Sequence, residues 1–518
     1  MESIKKLFNI YFFLILAVII VVELMSFFGH IFLAIDHWVF AASILIALIL
    51  TLRNLKYGVW IILLELFIGS QGYLLSIDFG GLKISLRIAL WLIVLSVWFK
   101  NYLFSFLDKR RRQPSIFADA KIFSTANFSY FLILFFFIAL AGLIGCARGN
   151  AWQNVFFDAN GWLFFLLIFP FYETFLNPAI AGNDPFRPVW RLFAAGTTWI
   201  SLKTLLLFFF FTHPWPENAL WHWLLSAELY QWVRDTLIGE ITLMPTGLVR
   251  VFIQSQIYLV IALFLGLFAL SHYWNEIKKS RGAIVFAIAA GTLLLSAIII
   301  SLSRSFWLGA AAVFLAYICL TVKNYGWKIS GSVAIMLIVS FILSLALIFT
   351  VARFPFPQPA MDFDLTEALA ARADQLNNEA ALSSRYALLP PLWQKISHNP
   401  IWGDGFGTTV TYRASDPRIL SENQTGTYTT YAFEWGWLDI WLKLGLFGLL
   451  AYLLLILMII KDALKIKTWL SWGLGSGILL ITIISFFSPY ANHPLGIGFL
   501  LLSAAAIYHE RQDTCAGA

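Results

Sequence analysis

The chain has few charged residues and few cysteines. Only 12% of its 518 residues are charged, whereas soluble globular proteins have about 25%. Its three cysteines, Cys146, Cys319 and Cys515, lie in or beside apolar segments, and this scatter indicates neither a disulfide framework nor a metal cluster. The sequence lacks Walker A and HExxH motifs, so these nucleotide-phosphate and zinc-protease sites are excluded.

The chain is rich in hydrophobic residues, which form long apolar segments. Hydrophobic residues make up 60% of the chain, with 49 Phe, 22 Trp and 18 Tyr, and aromatic residues are frequent at membrane interfaces. Many apolar runs last about 17–25 residues, the length that crosses a bilayer as a helix. The sequence therefore predicts an all-α polytopic membrane protein with about 14 transmembrane helices. They are expected near residues 8–28, 38–52, 57–75, 84–104, 128–146, 161–179, 193–212, 250–271, 283–302, 305–322, 329–351, 436–460, 469–487 and 494–508.

This pattern divides the chain into three parts. Residues 1–351 hold the first eleven helices, 352–435 form one large, mostly helical loop, and 436–518 hold the last three helices and a tail. An apolar first segment without a small-residue cleavage site indicates a first span and not a signal peptide.

Basic residues orient the predicted helices. With Lys5 and Lys6 in the cytoplasm, alternation places every Lys/Arg-rich link there, as the positive-inside rule requires. Both termini are then cytoplasmic, and the loop 352–435 faces outward. The net charge of +7 is explained by topology, so we expect no nucleic-acid partner.

Residues 213–249 form a second long outward link. Trp215, Trp221, Trp223 and Trp232 recur in it at near-helical spacing, which predicts an amphipathic helix in the outer interface. Two interpretations stay open, an aromatic anchor at the membrane surface and a groove wall that guides a lipid tail.

Cations at membrane depth are costly and often functional. Arg87, Arg250 and Arg304 are all expected near the outer membrane surface, with Lys203 deeper in its span. Each could instead snorkel to lipid phosphate. Guanidinium pairs bidentately with phosphate and stays charged, so the group suits a diphosphate that must be held and then released.

The large loop adds further candidates. Arg385 precedes an amphipathic stretch, and His398 precedes a turn with Gly403, Gly405 and Gly407. His398 is typical of a turn residue, but we also consider it for substrate binding. Glu434 ends the loop, where it can complement a helix dipole or accept a proton. The spacing of Asp362 and Asp364 is weak as a metal motif, so no metal ligand is predicted.

Three stretches resemble the bacterial O-antigen ligase and O-antigen polymerase superfamily. They are SLSRSFWLGAAAVFLA, SSRYALLPPLWQKISHNPIWGDGFG and LDIWLKLGLFGLL. The resemblance covers roughly residues 285–460 and includes the plan of many spans with one large late periplasmic loop; the N-terminal half is similar only in hydropathy.

The resemblance implies metal-independent glycosyl transfer on the periplasmic face of the bacterial inner membrane, without a cofactor. The donor would be a glycan on undecaprenyl diphosphate and the acceptor a second glycan, lipid A-core or protein. Arg385, Arg304 and Arg250 would hold the diphosphate, with Arg87 as a supporting contact. Ligases of this family have a histidine where Glu434 stands, which weakens the ligase assignment and fits polymerases better.

Alternatives stay open at this point. A transporter or flippase for lipid-linked glycan would also have many spans with intramembrane charge, although the long loop and the lack of internal repeats in the sequence disfavour it. Ligase, polymerase and protein glycan transferase are not distinguished. Nor does the sequence say whether a chain-length regulator is a partner.

Overall fold

The computed structural model is mostly helical. It describes residues 7–79, 82–107, 116–118, 127–182, 184–213, 227–244, 247–357, 359, 380–414, 419–420 and 423–516. The first nine helices in this part of the chain are α1 Ile10–Ile31, α2 Leu33–Arg53, α3 Leu55–Ile68, α4 Leu86–Leu107, α5 Phe128–Ala147, α6 Trp152–Leu163, α7 Ile168–Leu176, α8 Pro178–Ala181 and α9 Arg187–Thr212. The next ten are α10 Leu229–Asp235, α11 Ile257–His272, α12 Trp274–Ile277, α13 Arg281–Ile300, α14 Arg304–Tyr325, α15 Trp327–Ala352, α16 Ala380–His398, α17 Gly436–Ile466, α18 Trp469–Ile484 and α19 Pro494–Ala516.

Each predicted apolar segment overlaps a helix. Eleven helical stretches among the described residues are long and apolar enough to cross a membrane, with α6 and α7 joined by a 3-10 turn into one of them. The other three predicted segments fall on α3, α18 and α19, of which α3 and α18 are only 14 and 16 residues long. The chain is therefore a polytopic helical membrane protein, while the exact number of spans stays a prediction.

Short polar motifs begin several helices. The Asn54 side chain accepts a hydrogen bond from the backbone N–H of Lys56 at the start of α3, 3.1 Å away. Thr468 and Ser471 form a reciprocal capping box at the start of α18. Such side chains bond the backbone N–H groups that a first helical turn leaves without partners. They explain why closely spaced apolar runs form separate helices.

The described links also contain strands, which the all-α prediction missed. β1 Ser76–Phe79 pairs with β2 Leu82–Ser85, β3 Gly239–Leu243 with β4 Val249–Ile253, and β5 Val410–Arg413 with β6 Thr427–Thr430. All three pairs are antiparallel. In the described part of residues 352–435, α16 is accompanied by the paired strands β5 and β6, and the mostly helical character of the whole loop stays a prediction.

Residues 214–226, which carry most of the pattern that predicts an amphipathic helix in the 213–249 link, lie outside the described residues, and the described part contains short α10 followed by the β3–β4 hairpin. Trp215, Trp221 and Trp223 lie outside the described residues. Trp232 is buried, and its indole N–H donates to the Ser26 hydroxyl at 3.0 Å. Trp232 therefore anchors α10 on α1 and is not an aromatic belt residue facing lipid.

Links that the sequence places on one side meet at one end of the bundle, which we term the loop end. Arg250 bonds to the backbone of Ser301 at 2.9 Å, and the hydroxyl of Tyr490 donates to the carbonyl of Gln254 at 3.0 Å. Asn150 donates to the carbonyl of Phe406 at 2.8 Å. The loop end thus gathers segments that are distant in sequence.

Candidate functional site

A glycine-rich turn forms the base of the loop-end structure. Gly403, Gly405 and Gly407 have φ values of +74°, +79° and +77°, a region that L side chains rarely adopt. A Cβ at Gly405 would overlap the backbone of Gly145 at the end of α5. The Phe406 side chain is fully buried, and its N–H donates to the carbonyl of Ala141 at 3.0 Å. These glycines therefore allow the turn to pass backbone against backbone, with no phosphate required.

The partner of this turn is a break in α17. Gly445 has φ 72° and ψ 177° inside the helix, and a Cβ there would overlap the backbone of Ile401 and Trp402. The N–H of Leu446 donates to the carbonyl of Pro400 at 2.9 Å. The break separates a short half of α17 at the loop end from the longer half that continues through the bundle.

A buried lysine lies beside the turn, on the short half of α17. The side chain of Lys443 is 1% exposed, and its ammonium lies 2.6 Å from a carboxylate oxygen of Asp158 and 2.5 Å from one of Asp439. It also donates to the carbonyl of Tyr431 at 2.9 Å. Because a charge taken out of water must be compensated, this cluster ties α6, α17 and the end of the large loop together.

Asp158 and Asp439 each accept one further hydrogen bond. The N–H of Gly407 donates to Asp158 at 2.9 Å, and the amide of Asn492 donates to Asp439 at 2.6 Å. Burial raises the pKa of the Tyr431 hydroxyl, and the nearby Asp158 raises it further. The lysine cluster therefore connects the glycine-rich turn to the link that precedes α19.

Asp404, within the turn, is a second buried carboxylate. It forms an ion pair with Arg148, which follows α5. The side chain of Asn399 donates to the same carboxylate at 2.8 Å. Asp404 is 4% exposed and Arg148 38%, so the pair lies at the boundary between the bundle and the outside.

Arg385 and Glu434 are brought together, although they lie far apart in sequence. They form an ion pair in which both side chains are accessible, at 36% and 53%. The indole N–H of Trp435, next to Glu434, donates to the carbonyl of Arg385 at 3.0 Å. The structure therefore places the first turns of α16 beside the start of α17, at an accessible position.

Arg250 and Arg304 lie on either side of one turn. Arg250 is on β4, where its guanidinium carbon is 4.9 Å from the ring centre of Phe252. Its Nε donates to the carbonyl of Ser301, in the turn just before Arg304, the first residue of α14. Arg250 thus lies on a strand, not at the start of a span as the sequence suggested.

Arg87 and Lys203 have buried carboxylate partners. Arg87 forms a bidentate pair with Glu65 at 2.8 and 3.0 Å and also donates to the carbonyl of Ser70. Lys203 lies 2.7 Å from Glu23, and both side chains are at most 4% exposed. These pairs account for both cations without a substrate.

The acidic partners could have been found from sequence. Glu23 in VVELM and Glu65 in LLELF are isolated carboxylates in apolar runs, which require a cation. Lys443 and Asp439 stand four residues apart in WLDIWLKL, the spacing that brings helical side chains together. The residues predicted from the sequence were cations without an assigned acidic partner, so the lysine cluster was missed.

His398 is distant from the Arg385–Glu434 pair. It ends α16, where its ring Nδ1 contacts the carbonyl of Gln394 at 2.8 Å. It follows Arg385 by 13 residues on the same helix, which corresponds to about 20 Å at about 1.5 Å per residue. The position of His398 agrees with the interpretation as a turn residue. If His398 binds substrate, it does so at a part of the loop end away from the Arg385–Glu434 pair.

His493, which precedes α19, is not among the site residues predicted from the sequence. Its Nδ1 accepts a hydrogen bond from the N–H of Leu495 at 3.2 Å, as a residue that caps the start of a helix does. Burial lowers the pKa of His493 to about 3, and the positive charge of Arg87 contributes. His493 is therefore neutral and caps α19 at neutral pH.

Replacing Gly405 by Ala tests the close backbone approach. Gly149 has a similar φ, +74°, but no atom within 4 Å of a built Cβ, so it is the matched control. We expect Gly149→Ala to cost about 1–2 kcal/mol through backbone strain alone, and Gly405→Ala to cost clearly more because of overlap. Thermal unfolding of the purified protein in detergent measures both. Equal unfolding temperatures for the two variants would contradict the overlap.

Replacing Lys443 by Met tests the lysine cluster. It leaves Asp158 and Asp439 buried without their cation, so we expect a loss of about 3–5 kcal/mol, measured as a lower unfolding temperature. Lys395→Met is the control, since Lys395 is 48% exposed and 4.0 Å from its partner Asp404, a geometry worth about 0–1 kcal/mol. A Lys443→Met protein as stable as the control would show that the cluster is not stabilising.

The capping histidine predicts a pH dependence of stability. The folded-state pKa of His493 is about 3 against 6.5 for the free side chain, so the unfolded state binds the extra proton between these values. Its contribution to stability is therefore present above about pH 6.5 and is lost as the pH falls toward 3. His493→Asn retains a capping acceptor but does not titrate. The stability of this variant should fall less than that of the unchanged protein between pH 7 and pH 4, and parallel curves would exclude the effect.

Comparison with known proteins agrees with the resemblance seen in the sequence. Residues 289–453 match the family model described as O-Antigen ligase. No curated protein matches the chain. The matched residues include Arg304, Arg385, Glu434 and Lys443. The family match and the membrane helices together support a membrane glycan-processing enzyme. The resemblance to the O-antigen ligase and polymerase superfamily that the sequence predicted is thus supported over residues 289–453.

Proposed function

We propose that this protein transfers or polymerises a glycan from an undecaprenyl-diphosphate donor, on the periplasmic face of the bacterial inner membrane. The reaction needs no metal ion in this proposal, and the loop end is the periplasmic end. The observation that carries the proposal is the accessible contact between Arg385 and Glu434. It brings a guanidinium, a group suited to binding phosphate, next to a carboxylate where the large loop meets the membrane helices.

The diphosphate would be bound by arginines. Guanidinium pairs bidentately with phosphate oxygens, and preorganised cations stabilise the negative charge that develops on a leaving group. Arg250, Arg304 and Arg385 are the proposed ligands. Arg87 and Lys203 are not retained as direct contacts, because Glu65 and Glu23 already neutralise them.

Glu434 would be the base. An exposed ion pair is worth only about 0–1 kcal/mol, so Arg385 can exchange the Glu434 carboxylate for a donor phosphate. Glu434 then accepts the proton of the acceptor hydroxyl, whose oxygen attacks the anomeric carbon of the donor sugar. The bond between that carbon and the diphosphate oxygen breaks, and the diphosphate leaves with the electron pair.

The lysine cluster would hold this base in place. Lys443 bonds the carbonyl of Tyr431, three residues before Glu434. Trp435, the next residue, bonds the backbone of Arg385. These contacts on either side of Glu434 favour a fixed carboxylate position, and fixed geometry is a large part of catalysis in transfer reactions.

Turnover tests the two named residues. In proteoliposomes with lipid-linked glycan, Arg385→Ala and Glu434→Ala should each lower the release of undecaprenyl diphosphate by at least about 100-fold, the order expected for loss of a positioned base. Arg413→Ala and Glu240→Ala are matched controls, since both side chains are exposed on strands at the loop end. Both controls should keep full activity.

The outcomes separate the alternatives. Full turnover in the Arg385 and Glu434 variants would remove the site assignment. Movement of donor across the bilayer without diphosphate release would instead indicate a flippase.

The acceptor is identified in a deletion strain by gel analysis of surface polysaccharide. A single repeat unit on the lipid A-core indicates a polymerase. Loss of all core-bound long chains, with lipid-linked polymer accumulating, indicates a ligase. Glu434 in place of histidine favours the polymerase.

A further inference from the structure

An apolar cavity lies at the end of the bundle opposite the loop end. Its volume is about 590 Å³, and its walls come from α9, α11, α13, α15 and α18 with Leu7 and Phe8 before α1. Cavities of about 300–1,000 Å³ are the usual size of small-molecule sites. Since α13 and α15 begin here and end at the loop end, the cavity is separate from the candidate catalytic residues.

Small residues leave this space open. They lie on two facing helices, α11 and α13, and are Ala262, Gly266, Ala269, Ala283, Ala287 and Ala290. A Cβ built on Gly266 meets no atom within 4 Å, so this glycine borders empty volume. The rings of Phe8 and Phe286 pack edge to face at 5.0 Å and close one side, where Phe286 is also 42% exposed. The cavity thus lies one side chain away from the outer surface of the bundle.

The rim of the cavity is positively charged. Arg187 lines the cavity, and its side chain is 40% exposed beside Asp184 at 3.8 Å. Lys278, Lys279 and Arg281 are exposed in the link between two lining residues, Ile277 and Ala283. The four basic residues Arg187, Lys278, Lys279 and Arg281 outnumber the two acidic residues next to them in sequence, Asp184 and Glu276. An anionic group would therefore be attracted to this rim.

We propose that the cavity binds an anionic phospholipid, with an acyl chain between α11 and α13 and the headgroup phosphate on Arg187. Apolar cavities do not hold water, and four of the five helices around this one, α9, α11, α13 and α15, are long and apolar enough to cross a membrane. The cytoplasmic leaflet is rich in anionic lipids that basic residues attract, and the positive-inside topology places this rim there. The exposed pair with Asp184 is weak, so Arg187 is available to a phosphate. This site is independent of the proposed glycan transfer.

Photo-crosslinking tests the site in the unaltered protein. The protein is reconstituted in phosphatidylcholine nanodiscs with phosphatidylglycerol that carries a photoactivatable acyl chain, and crosslinked peptides are identified by mass spectrometry. We expect crosslinks concentrated within residues 262–294, displaced by excess unlabelled phosphatidylglycerol. Crosslinks spread evenly over all lipid-facing helices, or displacement by phosphatidylcholine to the same extent, would overturn the proposal.

Two glycine variants separate the cavity from general lipid contact. Gly266→Leu fills the cavity, whereas Gly331→Leu places the same side chain in open space on α15, away from the lining. Native mass spectrometry should show at least a fivefold loss of retained phosphatidylglycerol for Gly266→Leu and none for Gly331→Leu. Arg187→Gln should remove the preference for phosphatidylglycerol over phosphatidylcholine.

Equal retention in all three variants would refute the site. So would retention of undecaprenyl diphosphate in place of phospholipid. Undecaprenyl diphosphate release, measured separately, tests glycan transfer and does not decide this proposal.

Discussion

The buried ammonium of Lys443 is the contact on which the loop end depends. Asp158 and Asp439 come from two different helices, and neither carboxylate is tolerable in this dry environment without the cation between them. The same ammonium bonds the end of the large loop, and the N–H of Gly407 bonds Asp158. One charge thus fixes the relation of α6, α17, the glycine-rich turn and the large loop.

The reaction proposed for the loop end needs a rigid backbone around Glu434 and an ion pair that can exchange one partner for a phosphate. The lysine cluster and the glycine turn are buried and closely packed, so they hold the backbone on either side of Glu434. The Arg385–Glu434 pair is accessible and can open at little cost. In the proposed reaction a diphosphate is bound and then released, and an exposed ion pair supported by a buried one suits both steps.

The helices were predictable because a bilayer imposes their length and apolarity. Each apolar run named from the sequence overlaps a helix, from Ile10–Ile31 to Pro494–Ala516. The strands were not predictable in the same way. β3 and β4, for example, pair Thr242 with Arg250, and short hairpins between spans carry no periodicity long enough to separate them from the adjacent helix.

The sequence by itself determined that the chain is a bundle of membrane helices, and it pointed to the O-antigen ligase and polymerase superfamily, since hydropathy and local motifs are readable along one dimension. Only the tertiary structure decided which cations are already neutralised. Arg87 and Lys203 looked like Arg250 in the sequence, but their carboxylate partners lie 22 and 180 residues away. Charge compensation depends on distance in space, and packing of the helices alone brings Glu65 to Arg87 and Glu434 to Arg385.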